Sequence, residues 1–267
     1  MCATTLAEEQ QEAGPRHAQR LYVSWQDAER RSFVPVGMLT QSAAGDFEFR
    51  YLRGAETDSD FRPFIGFPEL HHVYRSTEQF PFFENRLMPR GRSDYSAYLG
   101  SLGLAQNADP FEVLARSGGR RATDTVEVVA EPAVEPDTGH ASCCFLVRGV
   151  RHVENADDAI DRLDVGDHLG TEPDTGNEYD EHARYLLTLD GARVGFVPAY
   201  LTEFLSRSAE SNGGDAISIV VEHIGERSGP SHFRLLCRLV VPWPEGQPPF
   251  SGSAFEPLVI DDLELDS

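Results

Sequence analysis

The sequence predicts a β-rich α+β protein built in two blocks. Three observations carry this. Short apolar or alternating runs bounded by Gly, Pro and Asp recur along most of the 267 residues. Only a few stretches carry the punctuation of a helix. A stretch rich in Pro, Glu, Asp and Thr, residues 131–142, divides the chain near its middle and reads as a linker. Hydrophobic residues make up 40% of the chain, with 16 Phe, enough to build a packed core.

Residues 1–18 are polar and read as a frayed tail. The first block, 19–130, opens with a strand over Leu21–Trp25, followed by strands near Phe33–Leu39 and at Phe47–Tyr51, with a turn at Gly45-Asp46. From there to about Pro89 the chain is rich in Phe and Pro without a period, which reads as irregular structure held by aromatic side chains. Two helices follow. Ser93 or Asp94 caps one that runs to Leu102 and stops at Gly103. Asp109-Pro110 starts the second, and Gly118-Gly119 ends it. Thr125–Val129 returns as a strand.

The second block, 143–245, begins with the apolar strand Cys143–Val147. A short acidic helix near Ala156–Leu163 and a strand at His168–Thr171 follow. Asp190-Gly191 joins strands Tyr185–Leu189 and Arg193–Val197 as a hairpin, a pairing that favours a two-residue turn with both central residues at positive φ. Pro198 ends the second strand and can start a helix over Ala199–Arg207. Strands Ala216–Ile224 and Phe233–Val241 complete a mostly antiparallel set. Residues 246–267 are Pro/Gly-rich, then acidic, and read as a C-terminal tail.

Charge narrows the function. The net charge is −21, and every basic residue is an Arg. With no Lys there is no lysine Schiff base and no phosphate-holding Lys. The first block carries 13 Arg against 15 acids, a net of −2; the second carries 9 against 18, a net of −9. So acidic a chain has no large non-specific nucleic-acid surface, which would need many cations against phosphates. Cys143 and Cys144 lie in an apolar run without zinc-finger spacing and read as buried, reduced thiols. No targeting signal and no apolar run of membrane-spanning length is present, so the expected setting is soluble and cytoplasmic, with no membrane partner.

Catalytic and cofactor signatures are missing. There is no Gly-rich phosphate loop, no Gly-x-Ser-x-Gly elbow and no Cys/His pairing. His71-His72, His152, His168 and His182 lack metal-ligand periodicity, and Asp174, Asn177 and Asp180 recur every third residue, unlike a calcium loop. No metal, cofactor or enzymatic activity is expected.

Two resemblances add to this. Val147-Arg148-Gly149-Val150-Arg151-His152, Val165-Gly166-Asp167, Asn177-Glu178-Tyr179-Asp180 and Gly195-Phe196-Val197-Pro198 make the second block resemble a HIRAN domain. The resemblance implies a small antiparallel β-barrel, SH3/OB-like, with a helix packed across it, and a grip on single-stranded DNA or on DNA 3′ ends in defence or repair. It would place Arg151 on a phosphate and His152 on the terminal nucleotide. Asn177 and Asp180 would bond the terminal sugar or base, and Tyr179 would pack beneath their loop. The alternative for Asn177 and Asp180 is that they bond their own loop as Asx turns. His152-Val153 stands where DNA-binding relatives carry consecutive aromatics. Phe196, which joins Arg151, His152, Asn177, Tyr179 and Asp180 in the implied nucleic-acid-binding set, and Ala199 occupy positions where basic or imidazole side chains would approach phosphates.

In the first block, Phe80-Pro81-Phe82-Phe83-Glu84-Asn85-Arg86-Leu87-Met88-Pro89-Arg90-Gly91, followed by Leu102-Gly103-Leu104 and Asp109-Pro110-Phe111, resembles the N-terminal subdomain of HipA-type toxin kinases. That small α+β module is not the catalytic part, and free-standing versions neutralise a separate kinase. The resemblance implies an antitoxin-like protein–protein regulator as the alternative function. The most basic stretches, Arg86, Arg90, Arg92 and Arg116, Arg120, Arg121, are either solvated or ion-paired charges or an anion or partner patch. Gly118-Gly119-Arg120-Arg121 could cradle a phosphate, although a helix C-cap explains the glycines more simply.

Overall fold

A computed structural model describes residues 19–26, 33–121, 123–135, 137–177, 180, 182–212, 216–244 and 246–260. Strands β1 (Gln19–Gln26), β2 (Phe33–Gln41) and β3 (Phe47–Tyr51) form an antiparallel meander. After the short helix α1 (Gly54–Thr57), β4 (Tyr74–Ser76) pairs with the outer side of β3. Helices α2 (Pro81–Glu84), α3 (Tyr95–Ser101) and α4 (Pro110–Ser117) follow, and β5 (Val126–Ala130) returns beside β1. The sheet order is β4-β3-β2-β1-β5.

Helix α4 is bounded as its sequence predicts. The Asp109 carboxylate accepts from the Phe111 amide at 2.9 Å, Pro110 fills the first turn, and Gly118 closes the helix at φ 74°. One face of the sheet carries Leu21, Val23, Phe49 and Tyr51 against Phe67, Phe83, Phe111 and Leu114. The Tyr51 hydroxyl donates to the Phe67 carbonyl at 2.8 Å and accepts from the Phe64 amide at 2.7 Å. That is how a segment with no period becomes ordered: its backbone is tied to a buried phenol and its rings fill the core.

The second sheet collects β6 (Ala133–Glu135), β7 (His140–Leu146), β8 (His168–Pro173), β9 (Arg184–Leu187), β10 (Arg193–Phe196), β11 (Ser218–Ile224) and β12 (Leu235–Pro242). Its order is β10-β9-β8-β11-β12-β7-β6, and every pairing is antiparallel. Helix α5 (Ala156–Ile160) lies between β7 and β8, and α6 (Ala199–Asn212) follows β10. The β-rich α+β class holds, with two antiparallel sheets and six α-helices among the described residues. None of these helices is long and apolar enough to cross a membrane.

The expected closed barrel does not form; the sheet is open. End strand β10 meets the chain just past β7 at a single bridge, Arg148 to Phe196, with backbone bonds of 3.0 and 2.8 Å. The ladder cannot lengthen there. Gly149 turns away at φ 65° on one side, and Pro198 ends pairing two residues on from Phe196 on the other. The Asp190-Gly191 turn also differs from expectation. Only Gly191 has positive φ, at 84°, and Leu189-Asp190-Gly191 form a three-residue loop in which the Thr188 amide donates to the Ala192 carbonyl at 2.9 Å. Thr188 decides this: its hydroxyl accepts from the Ala192 amide and bonds Asp190, holding the extra residue in place.

Two further stretches depart from their composition. Residues 131–142 hold β6 and the start of β7. Residues 246–260 form a packed strap: Phe250 and Phe255 meet the Tyr22 ring edge-on at 5.4 and 5.2 Å, and Leu258 and Glu256 bond the backbone of Tyr51 and Arg53. The two blocks share a core in which Tyr22, Met38, Leu52 and Val129 of the first sheet join Phe145, Leu235 and Phe250. A second cluster packs Leu99, Leu102 and Val113 onto Leu146 and Leu236. Strand β1 is therefore buried on both faces, which is why Leu21-Tyr22-Val23 does not alternate.

Candidate nucleic-acid interface

The site begins at two glycines. Gly195 sits in β10 at φ 146°, where an added Cβ would lie 2.4 Å from Val147 Cγ1 and 2.7 Å from the Arg148 carbonyl oxygen. Gly149 at φ 65° abuts Phe196, and a Cβ there would lie 2.8 Å from the ring. Only glycine allows these chains to approach so closely while taking such dihedrals. The result is a one-turn 3-10 helix, Val150–His152, that roots Val150 in the core and exposes Arg151 and His152. Arg151 Nε donates to His152 Nε2 at 3.0 Å. No carboxylate pairs with Arg151 among the described residues.

Phe196 is half-buried, packed against Gly149 and against Tyr185 at 4.3 Å between ring centroids. Arg193 lies over Tyr185 at 4.0 Å and pairs with Glu172. Phe196 thus spaces the turn from β9 and is not a free stacking platform. The Val197 amide bonds the Arg184 carbonyl at 3.0 Å, so the loop leading into β9 and the Arg151 turn flank the same short strand.

That loop holds Asn177 and Asp180; Tyr179 lies outside the described residues. It is braced as Asx turns brace a loop. Asn177 Oδ1 accepts from the Asp180 amide at 2.9 Å, and Asp180 Oδ1 accepts from the His182 amide at 2.9 Å. Asp174 receives the Asn177 side-chain amide at 3.3 Å and the Gly176 amide at 3.3 Å. Asp180 Oδ2 has no partner among the described residues, so one carboxylate oxygen stays open to a donor.

The first block meets this site through an ion pair. Arg148 reaches Glu127 of β5, and the two side chains are 18% and 6% exposed. Gly118 lies directly over Glu127, with a Cβ there 3.3 Å from Oε1. The 3-10 turn also packs against a second one, Ser231–Phe233. There burial, then the nearby Arg120 and Arg148 guanidinium groups, hold His232 below the usual histidine pKa.

The basic set read from the sequence is divided. Arg86 is buried, paired with Asp124 at 2.7 and 3.1 Å, bonded to the Gly119 carbonyl at 3.1 Å and placed over the Phe82 ring at 4.4 Å. Arg92 is neutralised by Asp94 at 2.8 and 2.7 Å. Arg90 donates to the Ala108 carbonyl at 3.3 Å and Arg116 to that of Leu102 at 3.4 Å. Arg120 and Arg121 are both exposed; the Arg120 charge helps hold His232 below its usual pKa, and Arg121 lines an open cleft of about 810 Å³. The cleft is lined by Trp25, Phe64, Phe67, Phe80 and Phe82, with Ile65, 95% exposed, among its lining residues. Sequence reasoning missed Glu127, His232 and this cleft. A charged residue inside the apolar run Val126–Val129 was the signal for Glu127; the other two come from contacts distant in the chain.

Elsewhere the reactive side chains are occupied. Cys237 is buried and Cys143 and Cys144 are half-buried, and burial pushes their thiols up, which leaves them poor nucleophiles. His71 bonds Glu56 at 2.8 Å and His72 packs on Tyr74.

No family model matches the chain, and no curated protein matches it. Among solved structures it is similar to a protein from Lactobacillus plantarum, at 22% identity over 39% of this chain and 97% of that one, with a TM-score of 0.30. It is also similar to the HIRAN domain of human HLTF, at 17% identity over 39% of this chain and 79% of that one, with a TM-score of 0.29. At these scores, function has to come from the side chains themselves.

Proposed function

We propose that the protein is a non-catalytic adaptor that binds nucleic acid, single-stranded DNA or DNA ends, on the face formed by the Val150–His152 turn and the Asn177–Asp180 loop. The observation that carries this reading is Arg151: an exposed arginine with no carboxylate partner among the described residues, held on a glycine-built turn in a chain of net charge −21. Arg151 meets a phosphate, His152 supplies a ring to a base, and Asp180 Oδ2 accepts from a terminal hydroxyl. The HIRAN resemblance assigns the same roles to the same residues. The test is fluorescence anisotropy with 3′-ended and 3′-blocked oligonucleotides at low salt. Weaker binding by Arg151→Ala, and loss of preference for a free 3′-hydroxyl by Asp180→Ala, are expected. No binding by the wild-type protein sinks the reading.

A second reading rests on the cleft. Its aromatic lining and exposed Ile65 suit an apolar side chain of a protein partner, a HipA-type kinase being the one the first-block resemblance suggests. Co-purification with such a kinase, abolished by Ile65→Asp, supports it. A monomer that captures no kinase counts against it.

A further inference from the structure

We infer that Arg120 of the first block belongs to the same interface as Arg151 of the second, so that a single strand is held across the junction of the two sheets. The inference rests on the nucleic-acid reading and extends it to a composite site.

The geometry runs through four contacts. Gly118 ends α4 at φ 74° and sits on the Glu127 carboxylate. Glu127 pairs with Arg148 across the junction. The Arg148 backbone bridges to Phe196, and the next residue, Gly149, opens the turn that displays Arg151. That turn packs on Ser231–Phe233, whose His232 lies within electrostatic reach of Arg120. Arg120, two residues beyond Gly118, and Arg151, three beyond Arg148, therefore each follow one end of the same buried ion pair along the chain.

Charge removes some arginines from the candidates, and position near the Arg148–Glu127 pair selects Arg120 over Arg121, which lines the cleft. Arg148 is neutralised by Glu127, Arg86 by Asp124 and Arg92 by Asp94. Arg120, like Arg151, is exposed and meets no carboxylate among the described residues. Two unneutralised guanidinium groups, one bonded to the His152 ring and the other acting electrostatically on His232, match the chemistry of a single strand, which offers phosphates at intervals and bases between them. A free anion would need only one such arginine, whereas a polymer can engage both.

The experiment uses the full chain and a fluorescein-labelled oligothymidine, titrated over a salt series with the wild type, Arg120→Gln, Arg151→Gln, the double variant and Arg92→Gln as control. Each lost phosphate contact on a single strand lowers the slope of log K against log salt by about 0.7. Arg120→Gln and Arg151→Gln should each reduce the slope by that amount and weaken low-salt binding by about tenfold. The double variant should lose both contacts. Binding that weakens in Arg151→Gln but stays at wild-type affinity and slope in Arg120→Gln overturns the composite site and leaves the single-block interface standing. An equal loss in Arg92→Gln also overturns it, because the effect would then be general charge. No wild-type binding overturns both. Circular dichroism and thermal melts of each variant exclude misfolding as the cause.

Discussion

The aromatic cleft of the first sheet and the junction between the sheets use arginine in opposite ways. Along the cleft, Arg86 is enclosed, with a carboxylate, a carbonyl and an aromatic ring around it, and what faces solvent is mainly ring surface. At the junction, Arg148 is enclosed with Glu127, while Arg120 and Arg151, near that pair along the chain, are exposed. Burial makes pairing obligatory for an arginine; at the surface pairing is optional, as the exposed but neutralised Arg92 shows. A guanidinium enclosed by protein must be paired or its desolvation goes uncompensated, whereas one at the surface keeps its hydration and stays available to an anion.

Three substitutions break or sharpen that contrast. The largest effect is expected for Arg148→Ala, which leaves Glu127 buried without its cation. Chemical denaturation should show a loss of about 3–5 kcal/mol. Replacing both partners, Arg148→Met with Glu127→Leu, should recover most of it, since no lone charge is then left inside. If the single variant is as stable as the wild type, the junction is not held by this pair. Next comes Arg86→Ala, which removes the Asp124 and Gly119 bonds and the Phe82 contact. Because Asp124 is one-third exposed and can rehydrate, the expected loss is smaller, about 2 kcal/mol, read as a shift in urea midpoint at constant slope. Nucleic-acid binding should be untouched by it; a parallel loss would mean that cleft and junction are one site. The smallest effect is expected for Arg92→Gln. That pair with Asp94 is solvent-exposed, although hydrogen bonding from Arg92 holds the Asp94 carboxyl below the usual range. Melting temperature and oligonucleotide affinity should both match the wild type.

Much of the secondary structure is legible along the chain. The Asp109-Pro110 start and Gly118 stop of α4 are local signals, as are the apolar runs of β5 and β12 and the Phe47–Tyr51 alternation, and local physics suffices to read them. The short elements β4, β6 and α2 carry no such signal, and they exist because a neighbouring strand or ring receives them. Position in the chain also misleads about the strap. Residues 250–258 look like a loose end, yet Phe250 and Phe255 are the rings that cover Tyr22.

What the sequence by itself determined is therefore the β-rich class, the start and stop of α4 and the position of the polar Asn177–Asp180 loop, whereas α6 runs to Asn212, past the expected end at Arg207. The helix start and stop and the loop bracing depend on residues within a few positions of one another. The tertiary structure decided whether the second sheet closes, which glycines meet across the Arg151 turn and which arginines are neutralised. Those outcomes turn on pairings such as Arg148 with Glu127, 21 residues apart, and Arg86 with Asp124, 38 apart. The sequence names the charges, but Coulomb energy and desolvation depend on distance and burial in space, which only the fold assigns.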